Sequence, residues 1–175
     1  SEYGMQSFPD LKTIEAFANR KDWDQDSEVI RSHQKASLGN KNVIMYIEKY
    51  YPKPKDFESL VMLSQFIQSD AIKHAVETHR RNMPYCMGTL YWQLNDCWPV
   101  ASWSSIDYFG NWKAVHYKAR SFFNYAITSV LEQDNKVIVY LINDRNKSYG
   151  LDVRLRLRGF DGSILKEFIK SVKVK

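Results

Sequence analysis

The hydrophobic period of this chain changes once, near residue 127, and that change limits the folds open to it. Before it, apolar residues recur at helical spacing: Leu60, Val61, Leu63, Ile67, Ala71, Ile72, Ala75 and Val76 make one broad stripe at period 3.6. Asp56 opens that helix and Asn82-Met83-Pro84 closes it. Glu58 in the first turn and His79, Arg80 and Arg81 in the last suit the two ends of the helix dipole. After the change, Val153, Leu155 and Leu157 alternate with Arg154, Arg156 and Arg158, which is strand periodicity. Val137 to Ile142 and Ile164 to Val174 also read as strands, separated by turn residues at Asp134-Asn135, at 143–150 and at Asp161-Gly162. The three arginines fit a solvated sheet face, with the aliphatics turned inward, better than a phosphate site.

The rest of the first part is mixed. Asp10 caps a short helical pattern through Leu11, Ile14, Phe17 and Ala18. Residues 22–35 are polar and turn-like, and a short run from Val43 to Tyr51 stops at Pro52 and Pro54. Residues 87–94, MGTLYWQL, read as a short buried strand. A loop over 95–111 and a helix from Trp112 to Tyr125 follow. The fold class expected is α/β and then all-β, with a first domain over 1–127 and a second over 128–175. Neither is complete: an α/β barrel needs about eight βα units and roughly 250 residues, and an immunoglobulin-like sandwich about seven strands. The chain reads as cut at both ends.

Composition removes several classes. With 44% hydrophobic and 26% charged residues, the chain is globular, neither disordered nor collagen-like. No apolar run approaches the roughly 20 residues that span a bilayer. The start, Ser1-Glu2-Tyr3-Gly4, lacks a Met and the basic-then-apolar profile of a leader, so processing or truncation is expected to have set it. Cys86 and Cys97 fit no disulfide framework or zinc spacing and read as structural thiols. The four histidines are dispersed, no Gly-rich phosphate loop exists, and neither metal nor organic cofactor is implied. A net charge of +5 is spread evenly, so no nucleic-acid partner is expected. Asn146-Lys147-Ser148 forms a glycosylation triplet of low specificity.

The aromatic content is the outlier. Four of the five tryptophans, Trp92, Trp98, Trp103 and Trp112, fall within 21 residues. Trp92, followed by Asn95 and Asp96, sets a flat apolar plate beside hydrogen-bonding groups, which is what sugars require of a binding wall. Core filling explains buried indoles equally well. Glu2, before Gly4, would project from the C-terminal rim of a parallel barrel, where barrel enzymes keep their catalytic groups. Taken alone it is an ordinary surface charge.

The two features converge. SEYGMQSFP (1–9) and GTLYWQLNDCWPVASWSSIDYFGNWKAVHYKARSFF (88–123) resemble the β-mannosidases of glycoside hydrolase family 2, and RSHQK (31–35) and the helix ahead of MPYCMGTLYWQ add to the likeness. The resemblance covers residues 1 to about 126, and the β-rich remainder by texture. It implies a partial (β/α)8 TIM barrel followed by a partial immunoglobulin-like β-sandwich. Glu2 would end strand seven, Leu90–Leu94 would be strand eight, and the Trp112–Tyr125 helix would close the barrel.

The resemblance also implies roles. Glu2 matches the catalytic nucleophile and Trp92 an indole lining the sugar subsite; Asn95 and Asp96 sit beside it as further candidate contacts without a defined role. The family's acid/base Glu follows an Asn, and no Asn-Glu pair occurs in this chain, so the isolated chain is expected to be inactive. The substrate implied is a β-mannoside oligosaccharide, and the other partners are the remaining domains of the same polypeptide. A periplasmic, secreted or lysosomal location is implied. Exo-β-glucosaminidases carry similar runs, a β-galactosidase relative is a further alternative parent, and a non-catalytic carbohydrate-binding fragment is the rival from another class.

Overall fold

A computed structural model describes residues 2–174 of the chain. Two compact units are present, Ser1–Phe123 and Asn124–Lys175.

In the first unit, α1 (Leu11–Glu15), α2 (Glu28–Ser32), α3 (Gly39–Tyr50), α4 (Phe57–Arg81) and α5 (Ala114–Phe122) accompany two short strands, β1 (Glu2–Tyr3) and β2 (Leu90–Tyr91). The stripe of α4 works as its spacing predicts, burying Leu60, Val61, Ile67, Ile72 and Val76. Its start is a capping box: the Asp56 carboxylate accepts from the Ser59 amide at 2.7 Å, and the Ser59 hydroxyl accepts from the Asp56 amide at 3.0 Å. The N-terminal half of α4 packs with Phe8, Ile14, Ile30, Val43 and Ile47 in one core. The C-terminal half packs Ile72 and Val76 with Val115 and Phe122 of α5, against Tyr3 and Tyr91.

Several expectations change. Residues 22–35 are not simply turns. They contain α2, whose N-cap Ser27 hydroxyl accepts from the Ile30 amide, because Ile30 enters the core at 2% exposure. The short run at 43–51 is a twelve-residue helix, α3, held by the buried pair Val43 and Ile47 one turn apart. The helix expected over 112–125 spans only Ala114–Phe122, after Lys113 at its N-cap. The strand expected over 87–94 has only two ladder residues and is not buried: Leu90, Trp92 and Leu94 are 67%, 52% and 57% exposed. Its reverse side meets the α4–α5 core, while among the described residues no layer covers the side that carries Trp92. Cys86 is partly buried and Cys97 exposed, so the pair are not core thiols.

The second unit holds β3 (Ala126–Gln133), β4 (Lys136–Asn143), β5 (Tyr149–Arg158) and β6 (Ile164–Val174), paired as two antiparallel hairpins, β3–β4 and β5–β6. Asp134 and Asn135 turn the first hairpin at φ 51 and 58, where their short polar side chains tolerate the left-handed region. β3 escaped the sequence reading because its alternation is weak, and Ser129 is its one fully buried residue. Arg154 and Arg156 pair with Glu167 across the second hairpin. The aliphatics opposite them do not turn into a core as expected: Leu155 is 40% and Leu157 61% exposed, for want of a covering layer among the described residues.

Candidate active site

β1 and β2 run parallel, with Glu2 opposite Leu90 and Tyr3 opposite Tyr91. Side chains alternate along a strand, so Tyr3 and Tyr91 share the face packed on α4 and α5. Glu2 and Leu90 share the other face, and Trp92, two residues on, follows the same alternation. The Trp92 amide extends the ladder by donating to the Tyr3 carbonyl at 2.7 Å. The peptide between Trp92 and Gln93 is cis. Glu2 on β1 and Trp92, just past the end of β2, are therefore both exposed at this pair of strands. Gly4 is what lets the strands approach here: a Cβ on it would stand 2.4 Å from the Trp92 carbonyl oxygen and 2.9 Å from the Trp103 ring.

Behind the open face the loop is held by an enclosed polar network. Asp96, with no exposed side-chain surface, accepts from the Ser102 hydroxyl at 2.7 Å, Gln93 Nε2 at 3.1 Å and Lys35 Nζ at 3.3 Å. Asn95 is exposed at the loop's edge. The two residues that look alike in sequence thus differ: Asn95 reaches solvent, while Asp96 spends its carboxylate inside. The RSHQK segment pairs with the same loop, the Ala101 amide donating to the His33 carbonyl at 2.8 Å and the Lys35 amide to the Ala101 carbonyl at 3.2 Å.

Two further side chains tie the loop to the segment after β1. Gln68 of α4, fully buried, donates from Nε2 to the carbonyls of Met5, Trp103 and Ser104 and accepts from the Ser7 hydroxyl at 2.8 Å. Lys113, also fully buried, points Nζ at the carbonyls of Ser7 and Ser102, 3.3 Å from each. Burial drives the Lys113 ammonium down to about 7, against the pull of Asp96 and Asp107 and aided by the nearby Lys35. A mostly apolar groove of about 810 Å³ between β1, α3 and α4 includes neither Glu2 nor Trp92 in its lining. No group of three metal-ligating side chains occurs among the described residues.

The goat β-mannosidase is 32% identical over 170 residues, covering 90% of this chain and 19% of its own length. β-Mannosidase B of Aspergillus niger is 37% identical over 121 residues, covering 67% of this chain and 14% of its own. The crystal structure of the β-D-mannosidase from Dictyoglomus thermophilum matches 100% of the chain with a TM-score of 0.85 at 31% identity, over 23% of its own length. The chain is homologous to part of the β-mannosidases. It spans 14–19% of the length of these two curated relatives. An exo-chitosanase from Amycolatopsis orientalis also superposes, with a TM-score of 0.81 at 18% identity over 97% of this chain and 21% of its own, a likeness of fold alone. No protein-family model matches the chain.

In this β-mannosidase homologue the sequence singles out Glu2, Trp92, Asn95 and Asp96, but it suggests a buried strand where Trp92 is exposed and passes over Lys113 and Gln68. Lys113 lies among aromatic and polar neighbours and carries no sequence signal. Gln68 did leave one: it and Ser64 are polar residues inside the apolar stripe of α4, at positions the helical period turns inward.

Proposed function

We propose that this chain supplies part of the active site of a retaining exo-β-mannosidase of glycoside hydrolase family 2. The supporting observation is the parallel register of β1 and β2, which pairs Glu2 with Leu90, two residues before the exposed Trp92, in a chain homologous to β-mannosidases. Glu2 attacks the anomeric carbon of a terminal β-linked mannose, forming a glycosyl ester as the bond to the leaving oxygen breaks. A carboxylic acid from outside this chain protonates that oxygen, and as carboxylate it then takes the proton of the water that cleaves the ester. The two carboxyl groups of such a pair stand about 5–5.5 Å apart. Trp92 packs against the apolar face of the sugar, and Asn95 is the nearer candidate for a hydroxyl contact. Asp96 acts from within the loop, holding its course through Ser102, Gln93 and Lys35.

In this reading β1 and β2 are the last two strands of a (β/α)8 barrel, α4 is the crossover between them, and α5 closes the ring. Residues 1–127 then belong to the barrel and 128–175 begin an immunoglobulin-like sandwich. The isolated chain, lacking an acid/base carboxyl group, is inactive. The test is Glu2→Gln in the full enzyme, assayed on nitrophenyl β-mannoside with the fold checked by circular dichroism. Turnover falls by several orders of magnitude; near-normal turnover overturns the assignment. Nitrophenyl β-glucosaminide and β-galactoside in the same panel separate the neighbouring specificities.

A further inference from the structure

Lys113 is enclosed completely, yet nothing around it needs its ammonium. The Ser7 carbonyl already accepts from the Ser102 amide at 3.1 Å, and the Ser102 carbonyl from the Ser7 amide at 2.9 Å. Asp96 has Ser102, Gln93 and Lys35. Asp107 has the Thr13 hydroxyl at 2.6 Å and the Asn111 amide at 2.9 Å. A buried amine that satisfies no orphaned acceptor is a net burden on stability. Its location is specific, however. Ser7 lies five residues after Glu2 and Ser102 ten residues after Trp92, and the two bridge each other in antiparallel fashion.

We propose that Lys113 is a positioning residue, whose Nζ donates to the Ser7 and Ser102 carbonyls, clamps them and so fixes the Glu2 carboxylate relative to the Trp92 indole. This role rests on the nucleophile reading of Glu2. Gln68 grips the same joint from α4 through Met5 and Trp103, so the joint persists without Lys113 but loses its precision. A shift well under the reach of any assay of folding is enough, because misplacing reacting groups by about 1 Å can lower a rate about 100-fold.

The experiment uses the full enzyme and a 2-deoxy-2-fluoro-β-mannosyl fluoride. The Glu2 carboxylate forms the bond to C1, the C–F bond breaks and fluoride leaves, and the ester on Glu2 is read by peptide mass spectrometry. Lys113→Met is expected to keep or raise the unfolding temperature while slowing both ester formation and kcat about 10- to 100-fold, with KM changed less than about threefold. Lys113→Gln, which retains an N–H donor on a shorter stem, gives an intermediate loss. Unchanged labelling and kcat in a folded Lys113→Met overturn the clamp, as does a rise in KM alone. Failure of both variants to fold makes the ammonium a structural requirement and overturns it too. Absence of label on Glu2 in the unsubstituted enzyme is a different failure: it removes the nucleophile assignment, and with it the role of Lys113.

Discussion

Replacing Lys113 by Met tests the electrostatics of the interior directly. In the folded unit Lys113 ionises at about 7, with desolvation outweighing Asp96 and Asp107. In the unfolded chain a lysine titrates near 10.4. Between those values the folded state holds Lys113 neutral while the unfolded state carries the proton. The unfolded state therefore binds more protons, and stability rises with pH across that window. At about 1.4 kcal/mol for each tenfold in proton affinity, the rise amounts to roughly 4–5 kcal/mol. Below pH 7 both states are protonated and the full burden of the buried ammonium persists. Met fills similar volume without charge, so the variant lacks this component. The assay is guanidinium unfolding from pH 6.5 to 10.5 followed by tryptophan fluorescence. All five indoles lie within residues 1–123, so the signal reports on that unit. The stability of the unsubstituted chain minus that of Lys113→Met is expected to climb by several kcal/mol over the range, cancelling the other titrating groups. Parallel profiles for the two proteins would refute the argument.

Three further outcomes follow from the same structure. Gly4→Ala drives a methyl into the Trp92 carbonyl and the Trp103 ring; a loss of about 1–3 kcal/mol is expected by thermal unfolding, with a changed tryptophan emission. Gln68→Leu removes the donor to the Met5, Trp103 and Ser104 carbonyls inside the unit, for a loss of about 2–3 kcal/mol in urea unfolding. Tyr51 donates to Asp70, and that bond, first, and burial, second, hold its phenol up at about 12. Its contribution to stability is present below about pH 10 and is lost as pH rises through 12, so Tyr51→Phe flattens the alkaline limb of the stability profile, and tyrosinate absorbance titrates with one fewer late group.

The elements legible in sequence are those whose cause is local. The stripe of α4 and its Asp56 cap are written within one segment, and both stand. The arginine alternation of β5 is also local, but the inward turn of its aliphatics needed a second layer and is not met in this chain. The run at 43–51 gave no sign of a helix starting at Gly39, because Gly39 and Asn40 carry no helical signal; both are buried, and the Asn40 side chain is held by Gln34 and the Gln25 carbonyl. The site divides in the same way. Glu2 and Trp92 are singled out because each stands in a chemically distinctive run. Lys113 and Gln68 are not, because their partners lie between 11 and 106 residues away in the chain.

By itself, then, the sequence determined the two textures of the chain and the long helix between two strand-like segments. Hydrophobic period and turn chemistry are properties of neighbours along the chain, so they survive without coordinates. Only the tertiary structure decided which side each residue faces. The β1–β2 register paired Glu2 with Leu90, next to the exposed Trp92, while Ser102, Gln93 and Lys35 closed around Asp96, and the Ser7 and Ser102 carbonyls received Lys113 in the interior. A carboxylate that faces solvent and one enclosed by three donors are the same residue class in sequence. Their difference comes from desolvation and from partners that folding alone brings within hydrogen-bonding distance.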